Sequence, residues 1–231
     1  VQLTIDYDLQ KAAEASFKQA NLQGSAVLLD PRNGDVLALV SLPSYDSNSF
    51  AGGIDRLTWN DLNNDSLYPL TNRAIQGRYA PGSTFKIVAV SGALNEHVVR
   101  LNDRFHCENG RFYFAGKVLR DHHAYGMLTV KEIITKSSNI GTAKVAMKLG
   151  ASRLHNYISE MGFGHRSGVS LPGEVRGILH PVKNWSKLEI SRIPMGHGIA
   201  ATPIQLVMAM SAMANGGNLM RPLLVDRLGG R

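Results

Sequence analysis

The chain has 231 residues, 44 % of them hydrophobic and 19 % charged, a composition typical of globular domains and remote from disordered or collagen-like sequence. A chain of this size buries about 70–75 % of its unfolded surface, so neither disulfides nor a structural metal is needed, and the single cysteine, Cys107, can form neither an internal bridge nor a cysteine metal cluster. The balance of 25 basic to 18 acidic residues, net +7, favours anionic surroundings, but the basic residues are scattered without interleaved aromatics, which argues against nucleic acid as a partner.

Leu9, Ala12, Ala13, Phe17 and Ala20 recur at helical spacing and predict an amphipathic helix over 7–20. The apolar runs 25–29 and 36–41 flank Asp30-Pro-Arg-Asn-Gly34, the residues of a tight turn, and predict a hairpin. Their nearly unbroken apolarity implies strands covered on both faces. From Pro43 to Gly77 the chain is polar and turn-rich, which reads as a long surface excursion of a kind that is often functional. Pro81-Gly82 opens a helix with Phe85, Val88, Ala89 and Gly92 on one face, and short strands are expected from Phe105 to Leu119 around Asn109-Gly110. Thr129 with Glu132 forms a capping box for a helix that reaches Lys136. Helices over 140–149 and 152–161 are stopped by Gly150 and Gly162. Thr202-Pro203 with Gln205 forms a second capping box.

The segment from Ile193 to Met220 has no formal charge, yet its prolines, glycines and polar residues leave only 204–214 as an apolar run, the length of a buried helix and not of a membrane span. The start, Val1-Gln-Leu-Thr-Ile-Asp6, does not resemble a signal peptide, so any export signal or anchor is expected outside this chain. There is no internal repeat and no regular alternation of strand and helix, and the class expected is α+β, with strands at one end and a block of helices in the middle.

Two short constellations can carry chemistry. In Ala80-Pro-Gly-Ser-Thr-Phe-Lys86, Ser83 and Lys86 stand three apart at a helix start, on one face, close enough for the amine to take the hydroxyl proton. That chemistry needs a lysine that is neutral part of the time, which burial and neighbouring positive charge supply, and free amides at the helix start stabilise an oxyanion. About one Ser-x-x-Lys is expected by chance in a chain of this composition, so taken alone it reads equally as a surface lysine beside a capping serine. In Ser137-Ser-Asn139, at a junction of two helices, Ser137 and Asn139 point the same way if the backbone is extended. A hydroxyl there can relay a proton and a carboxamide can orient a substrate amide, although serine and asparagine also favour such junctions for ordinary capping.

Ser-x-x-Lys together with a Ser-x-Asn element is the mark of penicillin-binding proteins and serine β-lactamases. The chain resembles the transpeptidase domain of class B penicillin-binding proteins over nearly its whole length. The resemblance rests on Leu3-Thr-Ile-Asp6, Asn72-Arg-Ala74, Ala80–Lys86, Ser137-Ser-Asn-Ile-Gly141, Leu171-Pro-Gly-Glu174, Thr202-Pro-Ile-Gln-Leu206 and Ala214-Asn-Gly-Gly217, in the family's order. It implies the penicillin-binding, β-lactamase-like α+β fold, an antiparallel sheet flanked by helices, as one domain over 1–231. It also implies that Ser83 is the acylated nucleophile, Lys86 its general base, Ser137 the proton relay to the leaving group and Asn139 the ligand of the substrate's peptide amide. No cofactor or metal is implied. Asn139, with Arg120-Asp-His-His123, looks more like the division branch than the elongation branch.

One departure stands out. The family's Lys-Thr-Gly or Lys-Ser-Gly motif is absent; Arg166-Ser-Gly168 resembles it only superficially, and the motif is expected after Arg221-Pro222, so the chain reads as incomplete at its C-terminus, without the closing strands. The implied function is a peptidoglycan D,D-transpeptidase acting on stem peptides that end in D-alanyl-D-alanine and trapped by β-lactam antibiotics. Its place would be the cell envelope outside the cytoplasm, on an anchor not in this chain, with division membrane proteins as partners through other regions. The alternatives are a carboxypeptidase or β-lactamase, which would deacylate with water, and a non-catalytic or penicillin-sensing module with the same fold. His122-His123 lacks metal-ligand spacing, Met208, Met210 and Met213 read as core filler, and Cys107 carries no mark of an activated thiol.

Overall fold

The computed structural model describes residues 1–229. In chain order it contains β1 (Gln2–Leu3), α1 (Tyr7–Gln19), β2 (Gly24–Leu29), β3 (Val36–Leu42), α2 (Arg56–Asn64), α3 (Arg73–Gln76), α4 (Lys86–Asn95), β4 (Arg104–His106), β5 (Arg111–Phe114), β6 (Lys117–Arg120), β7 (Met127–Thr129), α5 (Val130–Thr135), α6 (Asn139–Leu149), α7 (Ala151–Glu160), α8 (Glu189–Arg192), α9 (Pro203–Ala214) and β8 (Val225–Arg227). A 3-10 turn, Gly82–Phe85, leads into α4, and another, Ile193–Met195, follows α8. The class is α+β, as the sequence predicts. The chain divides into two compact units, one made of Val1–Arg78, Arg166–Arg176 and the segment from Thr202 onward, the other of Tyr79–His165 and Gly177–Ala201.

The first unit is built on the expected hairpin, β2 and β3 antiparallel from Gly24 opposite Leu42 to Leu29 opposite Val36. Backbone groups along β3 that β2 does not use are met by the segment before it: Asp6 N–H donates to the Leu37 carbonyl, and the Gln10 carboxamide bonds both the N–H (2.8 Å) and the carbonyl (3.2 Å) of Leu39. A strand edge is thereby closed against foreign strands. Val27 and Leu39 pack on a cluster formed by Ala74, Ile75, Val169 and Ile204, which ties α3 and α9 to the hairpin. Only β3 alternates between buried and half-buried residues, and β2 is half-buried throughout, so the expectation of strands covered on both faces overstates their burial. The excursion from 43 to 77 likewise departs from the predicted surface loop. Asp55 and Asn72 each accept backbone N–H groups as N-caps, starting α2 and α3, and α3 carries Ala74 and Ile75 into the core. Asx side chains that look like loop chemistry in a sequence are also helix starters. All named strand pairs among the described residues are antiparallel and two-stranded: β1 with β8, β2 with β3, β4 with β7, β5 with β6.

The second unit gathers α4, α6 and α7 with α5 and α8 packed against α6 or α4. Phe85 and Phe163, both fully buried, meet edge to face with centroids 5.0 Å apart, an arrangement preferred by the aromatic quadrupole. The tight turn between β5 and β6 falls at Ala115-Gly116; Asn109-Gly110, expected as the centre of the strands, lies in a 3-10 turn between β4 and β5. Both predicted capping boxes form, Thr129 with Glu132 and Thr202 with Gln205. Among the described residues no helix is long and apolar enough to cross a membrane.

The α5–α6 contact depends on a missing side chain. A Cβ on Gly141 would lie 2.5 Å from Ile133 Cγ1 and 2.8 Å from its Cδ1. Gly141→Ala gains about 1 kcal/mol of helix propensity and meets an overpacking cost of about 1–3 kcal/mol, because Cγ1 cannot swing aside. A 2.5 Å approach puts the cost at the upper end of that range, about 2–3 kcal/mol, so the expected result is a net loss of about 1–2 kcal/mol in denaturant unfolding; an unchanged or raised midpoint would show that this contact yields freely.

Candidate active site

Ser83 sits inside the Gly82–Phe85 turn and Lys86 is the first residue of α4, the Lys86 N–H closing the turn on the Ser83 carbonyl. The two side chains occupy neighbouring positions on one face, as their spacing predicts. Ser83 is exposed, and its hydroxyl makes no hydrogen bond to the described residues. The turn is fixed from behind by Gly196, which has φ +78°, and a Cβ on it would come within 2.3 Å of Gly82 N and 2.4 Å of Gly82 O. Only glycine fits that left-handed conformation and that approach together.

Lys86 is 2 % exposed, so its amine must find partners inside the protein. Both are on Ser137: Nζ donates to the Ser137 carbonyl at 2.6 Å and to Ser137 Oγ at 2.8 Å. Burial pushes the lysine pKa down to about 8, against the opposing influence of the Asp121 charge. A neutral amine has two N–H groups and one lone pair, and the two bonds to Ser137 use both N–H groups. The lone pair is left to accept a proton. Ser137 Oγ, which accepts from Lys86, keeps its own proton to donate elsewhere.

Ser137 reaches Lys86 through the way α5 ends. It lies just past the last turn with φ +53°; its N–H donates to the Ile134 carbonyl at 3.0 Å and the Ser138 N–H to the Ile133 carbonyl at 2.9 Å. That is the Schellman closure, in which the left-handed residue is usually glycine. A non-glycine residue there costs about 1–2 kcal/mol of backbone strain. The sequence expectation of an extended Ser137–Asn139 segment is therefore corrected: Ser137 is left-handed, Ser138 alone is extended, and Asn139 already belongs to α6.

Asn139 donates from Nδ2 to the Arg120 carbonyl at 2.8 Å. Beside it lies a recess of about 230 Å³ lined by Phe114, Lys117, Leu119, Ser191, Arg192 and His197 among others. Lys86 and Ser137 are thus brought into direct contact; Ser83 is held nearby on the same helix face, and Asn139 joins through the junction between α5 and α6. Sequence reasoning missed the carboxylate beneath them. Asp121 Oδ2 accepts from Ser138 Oγ at 2.7 Å, and its Oδ1 accepts from the N–H groups of Asn139 and Ile140. No spacing rule connects position 121 with 138–140, so only the fold reveals it. Cys107 is buried, with its thiol pKa pushed up by burial, and in Arg166-Ser-Gly168, which lies outside any strand, the N–H groups of Ser167 and Gly168 are held by Glu174. Among the described residues no cluster of histidine, cysteine and carboxylate side chains could hold a metal.

The family model for the penicillin binding protein transpeptidase domain matches residues 24–229. Peptidoglycan D,D-transpeptidase MrdA of Escherichia coli K12 is 34 % identical over 239 residues, covering 97 % of this chain and 37 % of the relative; the chain spans about a third of the length of the curated relatives it matches. The crystal structure of Pseudomonas aeruginosa PBP2 in complex with WCK 5153 superposes with TM-score 0.89 at 33 % identity, over 97 % of this chain and 53 % of that one. Penicillin-binding protein A of Mycobacterium tuberculosis, solved as an imipenem acyl-enzyme complex, gives 0.87 at 26 % identity, over 97 % and 54 %. With the matched motifs in order and the fold shared, the chain belongs to the penicillin-binding protein transpeptidase family, among the class B proteins.

Proposed function

We propose that this chain carries the acylation machinery of a peptidoglycan D,D-transpeptidase, with residues 1–231 forming part of one transpeptidase domain. Ser83 Oγ attacks the carbonyl of the penultimate D-alanine of a stem peptide, and Lys86 takes its proton. The new bond joins Ser83 Oγ to that carbonyl carbon while the bond to the terminal D-alanine nitrogen breaks. The leaving nitrogen receives a proton from Ser137 Oγ, which Lys86 replenishes. An amine of a neighbouring strand then displaces Ser83 and forms the cross-link. Asn139 holds the substrate's peptide amide through its carboxamide donor and acceptor. A β-lactam enters by the same attack, but its ring opens with the leaving nitrogen still tethered.

The observation that carries this reading is Lys86: a buried amine with a pKa of about 8, both N–H groups committed to Ser137, one turn from an exposed serine. Two relatives support it by their names, one a peptidoglycan D,D-transpeptidase and the other an acyl-enzyme complex with imipenem. Asn139 and Arg120-Asp-His-His123 support a role in division. We place the domain outside the cytoplasm, tethered and in contact with division membrane proteins through other regions.

The test is the intact mass of the chain after incubation with a penicillin, followed by peptide mapping. An adduct on the peptide containing Ser83 is expected, and its loss in Ser83→Ala with an unchanged circular dichroism spectrum; a label that survives this substitution removes Ser83 from the role. Release of the adduct by water at the pace of catalysis would point instead to a carboxypeptidase or β-lactamase. Lys86→Ala should slow acylation by about 10²–10⁴-fold, the scale of a positioned general base. Because the neutral amine is the active form, the acylation rate of the native chain should climb with pH and reach half its plateau near pH 8, in line with the Lys86 pKa; a flat profile between pH 6 and 9 would exclude Lys86 as the base. Gly196→Ala pushes on the residue before Ser83 and should lower the acylation rate about tenfold or more, as small misplacements of a nucleophile do. Stopped-flow acylation would show no change if the turn relaxes freely.

A further inference from the structure

We propose that Asp121 is the positioning residue of this site: its carboxylate holds the Ser137–Asn139 junction in register with Lys86. The inference rests on the proposed roles of Lys86 and Ser137.

The junction has a left-handed serine, Ser137 at φ +53°, and such a conformation persists only where the surroundings over-determine it. What over-determines it lies on the α6 side. Asp121 Oδ1 accepts from the backbone N–H groups of Asn139 and Ile140, the latter at 3.1 Å, and Oδ2 accepts from Ser138 Oγ at 2.7 Å. Ser138 Oγ has one proton; having given it to Asp121, it accepts from Gly141 N–H at 2.9 Å and so caps α6. Three of the amides that α6 leaves free at its start are thus taken up, two directly and one through a hydroxyl that is itself fully buried. The preceding residue completes the grip, since the Arg120 carbonyl accepts from Asn139 Nδ2 at 2.8 Å. A carboxylate at a helix N-terminus is electrostatically favoured as well. Ser137 is one peptide away from this anchor and makes both bonds to Lys86 Nζ.

The same carboxylate acts on Lys86 by charge. Burial drives the lysine toward its neutral form and Asp121 draws it back. Cys107 lies beside the same anchor, its Sγ 3.5 Å from Ser138 Oγ, and burial pushes its thiol pKa up. Asp121 therefore has two separable effects, one of geometry and one of charge, and a merely structural residue would have only the first.

Two substitutions separate them. Asp121→Asn keeps an oxygen to accept from Asn139 and Ile140 and removes the charge, while Ser138 can turn its proton toward Cys107. Asp121→Ala removes every contact. Lys86 is followed by NMR titration of ¹³C-labelled lysine in the full chain, and acylation by a penicillin is followed against pH. In Asp121→Asn the Lys86 titration and the acidic limb of the acylation profile should both move to lower pH by about half a unit or more, because the neighbouring negative charge is gone. In Asp121→Ala acylation should fall about tenfold or more on the alkaline plateau, where Lys86 is neutral in either chain, as loss of positioning does. A Lys86 titration unmoved in Asp121→Asn, or an Asp121→Ala chain acylated at the native rate, would overturn the inference. Should Asp121→Ala not fold, the Asp121→Asn titration decides alone. If the native chain takes no label at Ser83, the proposed function fails, and the Lys86 titration, which needs no label, still judges Asp121.

Discussion

A lysine that is almost wholly withdrawn from water has to satisfy its amine within the protein, and Lys86 does so on a single residue, Ser137. Much of the second unit can be understood as the means of holding that pair. Phe85 and Val88, on either side of Lys86 in the chain, are fully buried and fix the start of α4. The Schellman closure turns Ser137 back toward it, and Gly141 permits the close approach of α6 to α5 beside Ser138, which is fully buried. Desolvation then does what a neighbouring cation would otherwise have to do, lowering the pKa of the amine toward physiological pH. The proposed chemistry is in this sense a by-product of packing. An amine buried this well and bonded only through its N–H groups has its lone pair as its remaining capacity.

How much of this was legible in the sequence depends on the range of the interaction. Local features were: α1 from its apolar periodicity, the β2–β3 hairpin from Asp30–Gly34, and both capping boxes from three-residue spacings. The mutual placement of Ser83 and Lys86 was legible too, since a single turn fixes it. The excursion between β3 and α4 was misjudged because Asp55 and Asn72 favour loops and helix starts alike, and only the burial of Ala74 and Ile75 distinguishes the two. The strand turn was misplaced for a similar reason: Asn109-Gly110 has the residues of a hairpin turn, but the chain makes its hairpin at Ala115-Gly116.

The site itself divides along the same line. The motif marks Ser137 and Asn139 and the family resemblance implies their roles, but an extended backbone does not account for their orientation. A left-handed residue followed by a helix N-cap places them. Asp121 belongs to a stretch whose sequence points only to a branch of the family, because its partners are 17 to 19 residues away along the chain. A carboxylate that caps a helix from a distant strand end leaves no periodic or spaced trace, and its discovery requires coordinates.

The junction between α5 and α6 has one more consequence. Ser137 closes the first helix and Ser138 caps the second, so no residue between them is free of a hydrogen-bonded duty. Such a linker has no slack: inserting or deleting one residue would rotate α6 by about a quarter of a turn relative to α5 and carry Asn139 away from Arg120. Heritable variation that spares the chemistry is therefore channelled elsewhere, into places such as the exposed β5–β6 turn or the polar stretch after β3. Length differences among descendants of this domain would accumulate there, and the Ser137–Asn139 interval would stay constant as a ruler against which the rest of the chain drifts.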